Sequence, residues 1–124
     1  MSPSSSPAEK QPPEPLPAEP LPAEKLPLLA DYFKVLSETT RLKILSCLQT
    51  GPMNVMELTE ATGFSQANLS KHLKIMTQVG ILERQPKGVS AYYEILDLRV
   101  FELCEIAGAG ISDRLKQQMQ TFQT

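Results

Sequence analysis

Apolar and polar positions separate most cleanly in one stretch of the chain, which ends at Gly80. Leu69, Leu73 and Met76 recur at i, i+4 and i+7, a spacing that places them on one face of an α-helix. Ser65 is a suitable N-cap and Gly80 a suitable stop, so the pattern predicts a helix between them. The opposite arc has two cations, two amides, one hydroxyl and one methyl group but no acid: Gln66, Ala67, Ser70, Lys71, Lys74 and Gln78.

Two further helices are predicted near the start of the folded part. The first begins near Pro27 and is unusually rich in large apolar residues, which are Leu28, Leu29, Tyr32, Phe33, Val35 and Leu36. The second runs roughly from Glu38 to Gln49, with Ser37 as its N-cap. We expect Arg41 and Lys43 to point outward from it, and the inward residues to be Leu42, Ile44, Leu45 and Leu48.

A short helix precedes the polar-faced one. Asn54 is placed to cap this short helix, and its inward residues are predicted to be Val55, Leu58 and Ala61. Gly63 then supplies a tight turn before Ser65. A short helix, a glycine-containing turn and a polar-faced helix together form the layout of a helix-turn-helix motif, whose second helix enters the major groove of DNA.

The remaining elements are a hairpin and a long helix. Two strands are predicted at 81–85 and 90–95, joined by four residues that include proline and glycine. Asp97 is expected to cap a helix from Leu98 to about Gln120, in which Gly108 and Gly110 indicate either a kink or a close helix crossing. The predicted fold is mainly α with a small β-hairpin, in the order α-α-α-α-β-β-α: a winged helix-turn-helix.

Composition divides the chain into two parts. Residues 1–26 are rich in proline and poor in large apolar side chains, which predicts a disordered tail, whereas residues 27–124 are expected to form one domain. No run of about 18 apolar residues and no signal-peptide pattern is present, so we expect a cytoplasmic protein without contact to a membrane. Although the formal net charge is −2, residues 64–90 contain four Lys or Arg and one acid. A local basic surface is therefore compatible with an acidic total.

The candidate DNA-binding residues follow from this surface. Amides can pair with adenine, lysine can reach guanine or phosphate, and small side chains can meet a thymine methyl group. Arg84 and Lys87 of the hairpin are placed to contact phosphate. The full candidate set is Ser65, Gln66, Ala67, Asn68, Ser70, Lys71, Lys74, Arg84 and Lys87.

Two other function classes compete with DNA binding. The sequence does not support an enzymatic function, because it contains no recognisable motif that pairs a nucleophile with a base and no phosphate-binding loop. A winged helix can also serve as a protein-interaction module. A docking surface has no reason to exclude Glu and Asp, however, so the acid-free arc favours DNA.

The segments 36–42, LSETTRL, and 65–73, SQANLSKHL, resemble the ArsR/SmtB family of winged-helix repressors, and the resemblance extends over roughly residues 28–114. It implies a homodimer built on the first and last helices, which binds a palindromic duplex and leaves it when an inducer binds. The first-helix residues assigned to dimerisation are Leu28, Leu29, Tyr32 and Phe33.

The cysteines and the histidine of the chain bear on the identity of the inducer. The resemblance implies metal sites elsewhere in the family, but the short helix here lacks the Cys-x-Cys motif and the last helix lacks histidine, so no metal and no cofactor are expected. His72 lies beside the apolar face, where packing or phosphate contact is expected. Cys47 and Cys104 are either small buried hydrophobes or sensor thiols for oxidant or persulfide, a role that the resemblance implies. Arsenic capture by the same thiolates is the alternative.

Overall fold

The computed structural model describes residues 20–123. Its elements begin with a 3-10 turn, Ala23–Lys25, and the helices are α1 (Leu26–Leu36), α2 (Thr39–Leu48), α3 (Val55–Thr62), α4 (Gln66–Gln78) and α5 (Arg99–Gln123). The strands are β1 (Met53–Asn54), β2 (Leu82–Lys87) and β3 (Ser90–Ile95). The predicted winged helix-turn-helix order is confirmed, with β1 as an additional strand. The predicted disordered tail falls largely on residues 1–19, which lie outside the described residues.

The core forms where α2, α3 and α4 pack together and the hairpin closes over α4. Leu69, Leu73 and Met76, the predicted apolar stripe of α4, are completely buried. Ile44 of α2 and Leu58 of α3 meet this stripe and are also inaccessible to solvent. Burial of such side chains contributes roughly 1.5–3 kcal/mol each, so the stripe fixes which side of α4 remains outside.

Helix α2 differs from its prediction in two ways. Ser37 does not cap it; the Ser37 hydroxyl instead donates to the carbonyl of Lys34 at the end of α1, over 2.6 Å, and Glu38 is the N-cap residue. Arg41, predicted to point outward, is 7% exposed, whereas Leu42, predicted to point inward, is 42% exposed. The face of α2 that packs against the core therefore includes Arg41 and leaves out Leu42. The guanidinium of Arg41 can be buried because it donates hydrogen bonds inside the fold.

Helix α3 shows a smaller correction. Asn54 caps it as predicted, and a reciprocal pair of hydrogen bonds joins Asn54 and Glu57 over 2.8 and 2.9 Å. Ala61, which was expected to face inward, is exposed, and Thr62 is buried instead. The Thr62 hydroxyl donates to the carbonyl of Leu58 and accepts from the backbone N–H of Phe64. A hydroxyl satisfied in this way can be buried at little cost.

The sheet is antiparallel, with strand order β1-β3-β2. Strand β2 runs to Lys87, two residues further than predicted, and Pro86 pairs with Ala91 inside the hairpin. An edge strand tolerates proline because one side of its backbone has no partner strand. Gly88, at φ +61°, and Val89 form the two-residue turn.

Helix α5 begins at Arg99, one residue later than predicted, and continues through both glycines to Gln123. The Asp97 carboxylate accepts the backbone N–H of Arg99 over 3.0 Å, and it also receives the Arg99 guanidinium. This hydrogen-bonded guanidinium lowers the pKa of Asp97 to about 2. A Cβ added at Gly108 or Gly110 would have no atom of another segment within 4 Å. Neither glycine therefore marks a place where another helix of the chain crosses α5 closely.

Candidate nucleic-acid interface

Two local features fix the start of α4. Gly63 adopts φ +77°, a left-handed conformation that reverses the chain after α3. The Ser65 hydroxyl then accepts the backbone N–H of Asn68 over 3.1 Å, as an N-cap should. Lys43 lies above the ring of Phe64 in this turn, with 5.3 Å between its Nζ and the ring centroid. The turn therefore has an additional cation beside it, which was predicted to point outward from α2 but was not among the candidate DNA-binding residues.

The candidate side chains of α4 all lie on its exposed side. Their positions match the predicted arc, because the buried stripe holds the opposite side against the core. The exposed candidates are Ser65, Gln66, Ala67, Asn68, Ser70, Lys71 and Lys74. This face can donate hydrogen bonds to phosphates and base edges, and none of its side chains would repel a phosphate.

The hairpin brings Arg84 next to the start of α4. Gln66 and Arg84 line the same groove of about 320 Å³, whose other lining residues are Asn54, Val55, Met56, Val89, Ser90, Ala91 and Tyr93. Asn54 connects these parts, since it caps α3 and its side-chain amide donates to the Tyr92 hydroxyl over 3.5 Å. Neither this groove nor strand β1 was anticipated from the sequence, because both depend on contacts between distant segments.

Lys87 lies on the other face of the hairpin from Arg84, because side chains alternate along a strand. Its Nζ is 5.3 Å from the centroid of the Tyr92 ring. Glu83 and Glu94 pair directly across the strands, and Gln85 donates to Glu94 over 2.8 Å. The structure therefore groups Arg84, but not Lys87, with the acid-free face of α4.

His72 belongs to the interior rather than to the exposed face of α4. It is 6% exposed, and its Nδ1 accepts a hydrogen bond from Nε of Arg41 over 3.0 Å. Of the two roles considered for His72, the structure supports packing.

The two thiols occupy different surroundings. Both are half-buried and free, and Cys104 lines a mostly apolar groove of about 650 Å³ between α1, α2 and α5. The α2 residues on this groove are Leu42, Leu45, Ser46 and Gln49. At 100° per residue, Cys47 lies about 150° around the helix axis from the centre of that face. Helix α2 therefore turns Cys47 toward the core and away from Cys104.

The residues assigned to dimerisation are unevenly exposed. Leu28 and Phe33 are 69% and 48% exposed, whereas Leu29 and Tyr32 are half-buried. Burial raises the pKa of Tyr32, and the charges of Asp97 and Cys104 add to this effect. Helix α5 adds further exposed apolar side chains, which are Leu103, Ile106, Ile111, Leu115 and Met119.

Two kinds of feature are absent from residues 20–123. These residues contain no group of three His, Cys, Asp or Glu side chains arranged to hold a metal ion. None of their helices combines the length and the apolar character needed to span a membrane.

The fold and the exposed face of α4 together define a winged helix-turn-helix DNA-binding protein. The sequence model of the family described as bacterial regulatory protein, arsR family, matches residues 38–84. The HTH-type transcriptional regulator NmtR of Mycobacterium tuberculosis is 31% identical over 93 residues, which cover 69% of this chain and 78% of the relative. The chain belongs to the arsR family of bacterial regulatory proteins, which confirms the resemblance.

Two other similar proteins extend the comparison. The arsenical resistance operon repressor of Bacillus subtilis is 38% identical over 69 residues, covering 55% of this chain and 66% of the repressor. A solution structure from Mycobacterium bovis shows the homodimeric winged helix-turn-helix DNA-binding domain of a possible ArsR-family transcriptional regulator. It superimposes with a TM-score of 0.68 at 27% identity, covering 77% of this chain and 88% of that domain.

Proposed function

We propose that this protein is a transcriptional repressor that binds a palindromic operator as a homodimer and leaves it when an inducer acts. The observation that carries the proposal is the acid-free exposed face of α4, with Arg84 held beside its first turn. A helix of this kind can enter the major groove while the flanking cations contact phosphate. The proposal assigns no catalytic activity, and it places the protein in the cytoplasm, where bacterial DNA lies.

A homodimer is supported by two observations. The similar domain from Mycobacterium bovis is homodimeric, and α1 and α5 of this chain expose large apolar side chains such as Leu28 and Leu115. Two reading helices related by a two-fold axis meet half-sites about 34–36 Å apart, one helical turn of DNA. A palindromic operator is the DNA counterpart of such symmetry.

The proposed inducer is a thiol-reactive oxidant or persulfide that acts on Cys47 and Cys104. Both thiols are free, half-buried, and situated on the helices that flank the 650 Å³ groove. Because α2 turns Cys47 away from this groove, a bridge within one chain requires α2 to rotate, and that movement would displace α4. Arsenite is the alternative inducer, which the similarity to an arsenical resistance repressor supports.

Binding to duplex DNA tests the proposed reading face. The probe is a duplex that the parent protein selects from a randomised library, and the readout is fluorescence anisotropy over a range of salt concentrations. We expect Lys71→Ala, Lys74→Ala and Arg84→Ala each to weaken binding about tenfold at low salt. Each should also flatten the salt slope by about 0.9 for every phosphate that the variant no longer neutralises. Lys116→Ala is the matched control, since Lys116 is exposed on the distant part of α5.

The control separates local interactions from total charge. If Lys116→Ala weakened binding as much as Lys71→Ala and Lys74→Ala, the protein would bind through its overall charge. If none of the variants on α4 changed affinity or salt slope, α4 would not be the element that reads DNA.

A further inference from the structure

One buried cation connects three elements of the fold. Arg41, at the start of α2, is 7% exposed, and its guanidinium has three partners. Its Nε donates to Nδ1 of His72 on α4 over 3.0 Å, and one terminal nitrogen donates to the carbonyl of Val35 in α1 over 3.2 Å. The other terminal nitrogen pairs with the Glu38 carboxylate at 2.8 Å. The last turn of α1, the start of α2 and the middle of α4 therefore meet at one side chain.

The chemistry of this contact fixes the protonation state of His72. A guanidinium can only donate hydrogen bonds, so Nδ1 of His72 must be the acceptor and must lack a proton. The proton of the neutral imidazole is then on Nε2. An imidazolium would present an N–H group to the Nε–H of Arg41, and it would place a second positive charge against the first.

This hydrogen bond is also the directional link between α2 and α4. The other side chains of α4 that face inward, Leu69, Leu73 and Met76, make apolar contacts only. Among residues 20–123, Arg41 to His72 is the one hydrogen bond that joins a side chain of α2 to a side chain of α4. Apolar contacts tolerate small rotations and shifts, whereas a hydrogen bond weakens steeply away from its preferred geometry.

We propose that Arg41 is a positioning residue for DNA recognition: it holds α4 through neutral His72, and protonation of His72 releases that hold and weakens DNA binding. The proposal rests on the proposed function in one respect, that α4 is the element that reads DNA. It makes operator binding proton-linked, with the tightly binding state at the higher pH.

The charged groups around His72 determine the sign of this linkage. Arg41 of α2 faces the imidazole directly, and Glu38 approaches only through Arg41, because its carboxylate pairs with the guanidinium. On α4 itself, Lys71 and Lys74 are exposed on the other side of the helix. Within the described part of the chain, no carboxylate hydrogen-bonds to His72, so an imidazolium there would gain no counter-ion and would face a cation.

The expected pH dependence is opposite to the general one. Acidification adds positive charge to a protein, and this ordinarily strengthens attraction to phosphate. Loss of the Arg41–His72 bond would instead weaken binding as the pH falls. The two effects therefore predict slopes of opposite sign for the dependence of DNA affinity on pH.

The experiment measures affinity for the selected duplex at constant salt, from about pH 8 down to the lowest pH at which melting curves still show a folded protein. For the parent we expect binding to weaken about tenfold as the pH falls, the scale of a lost buried hydrogen bond. In His72→Asn the amide oxygen replaces Nδ1 as an acceptor that does not titrate. This variant should bind like the parent at the higher pH and show no weakening with acid. His72→Leu has no acceptor and should bind weakly at every pH.

Two outcomes would overturn the proposal. A parent-like pH profile in His72→Asn would overturn the proton linkage, and parent-like affinity in His72→Leu would overturn the positioning role. If His72→Leu fails to fold, as its melting curve would show, the profile of His72→Asn still decides. Lys71→Ala and Lys74→Ala, measured in parallel, separate this proposal from the proposed function, because unchanged affinity in both would mean that α4 does not read the DNA.

Discussion

Tyr32 of α1 is half-buried, and its surroundings give a testable pH dependence. Burial contributes most to the raised pKa of its phenol, and the negative charges of Asp97 and Cys104 contribute the rest. The folded state therefore holds this proton more tightly than the unfolded state. The corresponding stability is fully present below the unfolded pKa of about 10 and is lost as the pH rises through the folded value.

We expect the melting temperature of the parent to fall above about pH 10, and Tyr32→Phe to reduce this fall because it removes the titrating hydroxyl. Tyr93→Phe is the control, since it deletes the same atom from a tyrosine of the hairpin. Thermal melts followed by circular dichroism at several alkaline pH values provide the measurement. Equal alkaline losses in the parent and in Tyr32→Phe would mean that Tyr32 ionises equally easily in both states.

Arg41 and Leu42 show what the sequence pattern misses at the residue scale. The pattern alone places a charged side chain outside and a leucine inside, and the structure reverses both. The reason lies in the acceptors of Arg41, of which His72 on α4 is 31 residues away along the chain. Without those acceptors, burial of a guanidinium would cost several kcal/mol. The periodicity of a sequence shows which positions are polar, but it does not show whether a polar side chain has hydrogen-bond partners inside the fold.

At the scale of elements, helix termini were predictable wherever the capping group is local. Asn54 and Ser65 each bond to a backbone N–H three residues away, so their roles can be recognised from short sequence windows. Strand β1 has only two residues and exists because Met53 and Asn54 pair with β3, about forty positions later. The position of Arg84 beside Gln66 depends on how the hairpin packs against α4, whereas the separation of Lys87 from Arg84 follows from the alternation of side chains along β2.

The relation between α2 and α5 makes the thiol proposal testable at this scale. Because Cys104 lines the groove and Cys47 faces the core, a bridge between them requires a rotation of α2. We expect Cys47→Ser and Cys104→Ser each to bind the selected duplex like the parent, but to remain bound when polysulfide or peroxide is added. The parent should release the DNA under the same conditions, and reductant should restore binding.

Mass spectrometry of the released parent distinguishes the possible linkages. An intrachain bridge between Cys47 and Cys104 would support the rotation of α2, whereas a modified Cys104 alone would confine the reaction to the groove and refute the bridge. If both serine variants respond to oxidant like the parent, the thiols only pack, and parallel titration with arsenite tests the alternative inducer.

At the scale of the whole fold, the described residues expose many large apolar side chains on two helices. Exposed side chains on α1 and α5 include Leu28, Ile106, Ile111, Leu115 and Met119. The last three of these follow one another at intervals of four residues along α5, so they form a continuous apolar stripe on a helix that extends beyond the core. Contiguous exposed apolar surface of this kind marks interaction sites, and symmetry makes a second copy the simplest partner.

Dimerisation through α1 and α5 is expected to determine operator affinity. Leu115→Glu places a charge on the apolar stripe, and burial of that charge in an interface would be costly. We expect the parent to sediment as a dimer at micromolar concentration and Leu115→Glu as a monomer. The monomer loses the effective concentration that links two half-sites, so its affinity for the palindrome should fall about a hundredfold or more, while its affinity for an isolated half-site stays unchanged.

Gln117→Glu is the matched control, because it introduces the same charge at an exposed polar position of α5. It should remain dimeric and bind the palindrome nearly like the parent, apart from a small repulsion that salt screens. Sedimentation and binding to palindrome and half-site, measured on the same samples, separate a change of oligomeric state from a direct effect on the DNA-reading face. A Leu115→Glu protein that remained dimeric would place the interface elsewhere, and a monomeric parent that bound the palindrome tightly would refute the two-fold arrangement.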